Sequence, residues 1–147
     1  MLHRSLLATV TLLAAAETAS AAAPVECRTD CPAPIVFFDI AGPDTAALRK
    51  FYASVFKWSV DARNAIDKSS AGLDGTLRQD PAEKVLYIGV PDVTAALTAI
   101  QAAGGTIVAP RFEVPGVVIL GLFKDPAGNR LGLVEMQGGK AKVPAAR

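Results

Sequence analysis

Apolar and polar positions follow an order along this chain that occurs twice. Ile35-Val36-Phe37-Phe38-Asp39-Ile40 and Lys84-Val85-Leu86-Tyr87-Ile88-Gly89-Val90 are rich in β-branched and aromatic residues and predict strands. Each run leads into a Pro-Asp pair, Pro43-Asp44 and Pro91-Asp92, whose Asp can accept an N–H bond from the first turn of a helix. Past the first pair, Leu48, Phe51, Tyr52, Val55 and Phe56 fall at i, i+3, i+4, i+7 and i+8, one apolar face expected to lie in the core. Past the second, Val93, Ala96, Leu97 and Ile100 do the same, and Gly104-Gly105 stops the helix. The tetrapeptide Thr-Ala-Ala-Leu stands at Thr45 and again at Thr94, so the two stretches read as copies of one unit.

Further strands follow each helix. In the first half they are expected at residues 58–61 and 73–79, the latter bending at Asp74-Gly75, with a polar stretch at 67–72 between them. In the second half they are expected at 106–114, 117–124 and 130–136. Asp125-Pro126-Ala127-Gly128-Asn129 separates the last two runs. Proline presets φ and glycine takes the positive φ that closes a loop, so this is a hairpin turn. The halves span residues 35–80 and 84–137, joined at 81–83, and residues 138–147 read as a flexible tail without apolar periodicity.

Residues 1–21 read as a secretory signal: Arg4, an apolar run at 6–16, and the small-x-small site Ala19-Ser20-Ala21. The run is too short for the roughly 20 residues a bilayer span needs. Cleavage predicts a secreted or periplasmic protein and removes His3, the chain's one histidine. That excludes Ser-His-Asp and Cys-His catalysis and every imidazole-bound metal. Residues 22–34 form a Cys/Pro-rich lead-in, and in an oxidising compartment Cys27 and Cys31 are expected to form a disulfide. Loss of Arg4 and Glu17 with the leader keeps the net charge at +1, so neither nucleic acid nor, after cleavage, a membrane is an expected partner.

Read as β-α-β-β-β twice, the chain resembles the vicinal oxygen chelate superfamily of glyoxalase I, bleomycin-resistance proteins and extradiol dioxygenases. The matching features are Phe51-Tyr52-x-x-Val55-Phe56-x-Trp58, Val90-Pro91-Asp92-Val93, Ala103-Gly104-Gly105 and Asp125-Pro126-Ala127-Gly128-Asn129. The resemblance implies an α+β fold. Two βαβββ modules pair into a cupped, mostly antiparallel eight-stranded sheet, with the helices on the outer face and the ligand in the cup. It also allows a homodimer. The family's metal enzymes use histidines and glutamates. Here those positions fall at Ile35 or Phe37, at Val85 or Tyr87, near Leu77-Arg78-Gln79, and at Gly132, while Glu135 alternates to the opposite face. No cofactor and no metal site of the usual kind is therefore expected. A cation held by oxygen alone would have to use Asp39 or a loop carboxylate.

Strand alternation puts Val36, Phe38 and Ile40, with Leu86, Ile88 and Val90, against the helices, and Ile35, Phe37, Asp39, Val85, Tyr87 and Gly89 on the cup side. Aromatics with a few polar groups suit a small-molecule pocket, or simply fill it. Asp39 needs a partner, for which Arg78 and Arg130 are candidates, and serves either an ion pair or a ligand. Phe37, Asp39, Arg78, Tyr87 and Arg130 are thus the candidate ligand-binding residues. Three functions fit: a metal-free binding protein for a small, partly apolar molecule; a lyase, isomerase or dioxygenase with nonstandard ligands; or a structural, dimer-forming module.

Overall fold

Both Pro-Asp pairs open helices. The Asp44 side chain accepts from the Ala47 N–H and Asp92 from the Ala95 N–H, each at 2.9 Å, capping the helices as the pattern predicts. The computed structural model describes residues 32–146; the leader reading, Cys27 and Cys31 lie outside the described residues. In chain order the elements are β1 (Ile35–Gly42), α1 (Thr45–Phe56), β2 (Ala65–Ile66), α2 (Lys68–Ala71), β3 (Gly75–Gln79), β4 (Glu83–Val90), α3 (Val93–Ala102), β5 (Thr106–Val114), β6 (Val118–Lys124), β7 (Arg130–Gln137) and β8 (Lys140–Ala141).

The strands form one open, mixed sheet in the order β2-β3-β1-β4-β7-β6-β5, with β8 added on β7. The halves meet where β1 runs antiparallel to β4, and each first strand lies parallel to the last strand of its own half, β1 to β3 and β4 to β7. The other pairs are antiparallel. This is the expected α+β arrangement of two related modules with both long helices on one face.

The first module is abbreviated. The strand expected at 58–61 is a single bridge, Val60 to Ile66, and the polar stretch after it forms the short α2. Asp61 accepts from the N–H groups of Arg63 and Ala65, and Asn64 sits at φ 67°, so the chain turns where a longer ladder would need it straight. The second module is complete. Its hairpin turn is the expected one: the Asp125 carboxylate accepts from Ala127 and Asn129, and Gly128 takes φ 91°.

The core lies under α3, where Val90, Val93, Leu97, Phe123 and Leu133 form one buried cluster. Gly121 admits α3 this closely, since a Cβ there would stand 2.7 Å from Val93 and 3.1 Å from Leu97. The apolar face of α1 departs from expectation. No residue of α1 is buried, and Phe51, Val55 and Phe56 are each more than half exposed. The shortened strands give α1 little sheet to lie on. It is held at Leu48, over Gly42, and through Tyr52, which stacks on Trp58 at 5.0 Å. The stretch read as a loose tail is tied down: β8 pairs with β7, the Lys142 N–H donates to the Glu135 carbonyl, and the Gly116 N–H donates to the Pro144 carbonyl. Among the described residues no helix is long and apolar enough to cross a membrane.

Candidate functional site

The sheet face turned away from the helices carries the candidate residues, and one bulge changes which residues reach it. The β1–β4 register slips between Ile35 and Phe37. Ile35 is therefore set opposite Ile88, whose side chain packs toward α3. Val36 turns instead to the helix-free face, where its Cγ1 lies 2.7 Å from the position of a Cβ on Gly89. Strict alternation had assigned these two residues the other way round; an extra residue in one strand reverses the pleat on one side of it. From Phe37 onward alternation holds, and Phe37 meets Tyr87 edge-on at 5.8 Å.

One end of this face is charged. Asp39 is 4% exposed, and Arg78 Nε donates to its Oδ2 at 2.9 Å. Arg78 also pairs with Asp80 and Glu83. Arg130 does not reach Asp39; its Nη1 donates to both oxygens of Glu83, at 3.1 and 3.3 Å. Glu83 thus joins the two arginines, a role that sequence reading missed by placing it in the joint between modules. Its signal was available: Glu83, Val85 and Tyr87 alternate onto one face. The hydrogen bond that Arg78 donates to Asp39, opposed by partial burial, holds the Arg78 guanidinium firmly in its charged form.

The middle of the face is aromatic and the far end apolar. Gly132 pairs with Tyr87 and Leu122, and Val134 with Gly89 and Leu120, so Leu120 and Leu122 extend the surface beyond Tyr87. Burial raises the Tyr87 phenol above its ordinary value, and the Asp39 carboxylate adds to this. Phe37, Asp39 and Tyr87 therefore share one face, as their alternation predicts, and Arg78 and Arg130 join them there.

The same geometry tests the family's metal site. A Cβ on Gly132 would lie 2.1 Å from Tyr87 Cδ1, so the tyrosine ring rests directly on the glycine backbone. The resemblance places one metal donor of the family at Gly132 and another at Val85 or Tyr87. Gly132 has no side chain, and Tyr87 fills the space above it. Asp39 is committed to Arg78, and among the described residues no group of three or more His, Cys, Asp or Glu side chains is arranged to hold a metal ion. The residues present do not fit the metal.

Two other charged groups lie elsewhere. Glu135 is on the helix side, as alternation from Gly132 requires. It is 5% exposed and binds Arg111 at 2.7 Å and Lys142 at 2.8 Å, and the Arg111 hydrogen bonds bring its pKa down to about 2. Asp61, Asp67 and Asp74 line a pocket beside α2, but each already accepts backbone N–H bonds.

Residues 35–134 match the family model described as a glyoxalase-like domain. A curated relative, "Putative glyoxylase CFP32" of Mycobacterium bovis, is 24% identical over 111 residues, covering 65% of this chain; the chain spans 42% of that relative's length. Among solved structures, a methylmalonyl-CoA epimerase in complex with methylmalonyl-CoA and NH4+ is similar in fold, with TM-score 0.54 and 15% identity over 75% of this chain and 99% of that one. The methylmalonyl-CoA epimerase of Mycobacterium tuberculosis has TM-score 0.53 and 12% identity, covering 68% of this chain and 85% of that one. At these identities the structural likeness concerns the fold alone.

Proposed function

The chain belongs to the glyoxalase-like domain family of the vicinal oxygen chelate superfamily, and from that premise we propose that it is an exported binding domain. It holds a small, partly apolar molecule on the helix-free face of its sheet and uses no metal ion. The observation that carries this reading is the Tyr87 ring seated on Gly132, which puts an aromatic surface over a position where the resemblance places a metal donor. The surroundings support it: charge at one end, apolar side chains at the other, and a phenol between them. Export rests on the leader-like residues 1–21.

The metal-dependent lyase or dioxygenase reading lacks a cluster of three donors among the described residues. Untagged protein, screened by thermal shift against metabolites and antibiotics with and without a chelator, tests the choice. A ligand that raises the melting temperature equally in both conditions is the expected result. Stoichiometric zinc, nickel, iron or manganese bound by this chain's side chains would overturn it, as would ligand binding that appears only after metal is added.

A further inference from the structure

The side of the sheet that carries the helices is covered at its two ends and open in its middle. α1 lies over β1 and β3, with Leu48 against Gly42, and α3 lies over β5, β6 and β7, with Val93 and Leu97 against Gly121. Three to four strand spacings of about 4.8 Å therefore part the two helices. That is roughly twice the 8–10 Å at which helices pack side by side, so the gap has the width of one more helix. Its floor is apolar and uncovered. Leu86, on the helix side of β4, is 45% exposed, and Ile35, opposite Ile88 at the start of β1, is 48% exposed.

α1 carries a surface that suits such a gap. Thr45, Leu48, Arg49, Tyr52 and Ala53 are its half-buried positions and turn toward the sheet. Ala47, Phe51, Ser54 and Val55, at i, i+4, i+7 and i+8, form an exposed stripe of small and apolar residues. On the other flank, the Arg49 guanidinium donates to the Asn64 side chain and the Ala62 carbonyl beside β2, so the stripe is turned toward the gap.

We propose that a second copy of this chain fills the gap. The two molecules pack helix side to helix side about a two-fold axis, and each lays the Phe51–Val55 stripe of α1 over Leu86 and Ile35 of the other. Stripe and gap share one face of one chain, as a self-complementary contact requires. The area fits as well. At about 200 Å² for a fully exposed ring and somewhat less for an aliphatic side chain, Ile35, Phe51, Val55, Leu86 and the Phe56 ring beside Phe51 leave roughly 450 Å² of apolar surface open. A standard interface takes about 800 Å² from each partner, somewhat more than half of it apolar. The candidate ligand face is on the opposite side of the sheet and stays open in both copies, so the contact does not depend on the ligand reading.

Sedimentation velocity of the full chain across a micromolar concentration series tests this, with a dimer that dissociates on dilution as the expected result. Val55→Lys in the stripe and Leu86→Glu in the gap alter half-exposed side chains. Each should weaken the dimer about tenfold or more and leave the urea midpoint of the monomer nearly in place. An equimolar mixture of the two variants should recover dimer, because one of its two stripe-to-gap contacts is then native and the other sets lysine against glutamate. Phe51→Ala, which adds no charge, should also weaken the dimer, and Phe112→Lys, far from the gap on β5, should not. A chain that stays monomeric throughout, an association indifferent to Val55, Phe51 and Leu86, or a mixture of folded variants that fails to recover dimer would each overturn the proposal.

Discussion

The two modules start from nearly the same sequence pattern and end in different states. Thr-Ala-Ala-Leu opens both long helices, each capped by an Asp, and each helix carries an apolar stripe. In the second module the stripe is core, with Val93 fully buried and Leu97 4% exposed. In the first it is largely on the surface. What differs is the sheet beneath. Strands β5, β6 and β7 give α3 a broad floor, whereas β2 has two residues and β3 five. An amphipathic stripe specifies which side of a helix seeks cover; the length of the neighbouring strands decides how much cover it finds.

The sharpest way to break this comparison is to shorten the matching leucine of each copy. Leu97→Ala removes a buried side chain from the central cluster and should cost about 3 kcal/mol in urea-induced unfolding. Leu48→Ala removes a half-buried one over Gly42 and should cost about half as much. Equal losses would mean that α1 is packed as tightly as α3.

The same contrast recurs where aromatics sit on glycines. Tyr87 lies over Gly132 on the helix-free face, and Phe38 lies over Gly75 on the face shared with Trp58. In Gly132→Ala the new methyl would meet Tyr87 near the root of its ring, at Cδ1, so the whole ring must leave its place. In Gly75→Ala it would meet the far edge of Phe38, at Cζ, which a tilt relieves more easily. Overpacking should therefore cost about 2 kcal/mol at Gly132 and about 1 at Gly75. Adding Tyr87→Ala to Gly132→Ala should cost less than the sum of the two single changes. Additivity would mean that ring and glycine do not share that space.

Much of this was legible in the chain. Helix caps and the 125–129 hairpin follow from residues whose chemistry acts locally, while the pairing of modules was implied by the resemblance to the family. The need of Asp39 for a cation pointed to Arg78, and alternation was enough to bring Phe37, Asp39 and Tyr87 to one face. It failed at Val36 because a bulge is a misfit between two strands and has no signature in either alone. It also left the partner of Arg130 open, since Glu83 competes with Asp39 for that guanidinium through a register that only the folded sheet fixes. The exposure of Phe51, Val55 and Phe56 was illegible for a similar reason: their own spacing is that of a core helix.

Each module also buries one carboxylate, on opposite faces of the sheet: Asp39 on the helix-free face and Glu135 on the helix side. The folded-state pKa of Glu135 is about 2, against 4.5 for the free group. Its stabilisation is therefore fully present above about pH 5 and is lost as pH falls through 4.5 toward 2. Glu135→Gln should lower stability at neutral pH by about 2 kcal/mol and flatten that acid limb, read from urea midpoints at a series of pH values. Ligand binding should be unchanged, because Glu135 is on the other side of the sheet. An acid limb as steep as that of the unaltered protein would show that the Arg111 and Lys142 contacts do not hold this carboxylate ionised.

The smallest expected effect is also the most direct check on the first module. Val55 is 55% exposed on α1 and lies outside the aromatic contacts that tie Tyr52 to Trp58. Val55→Gln replaces a β-branched residue with a better helix former and gives up little apolar contact. It should change stability by less than about 0.5 kcal/mol, and the matching test in the second module, Leu97→Gln, should prevent folding or nearly so. A loss above about 1.5 kcal/mol at Val55, at protein concentrations where the chain is monomeric, would mean that α1 is covered in the folded chain. The contrast between a roofed module and an open one would then fall.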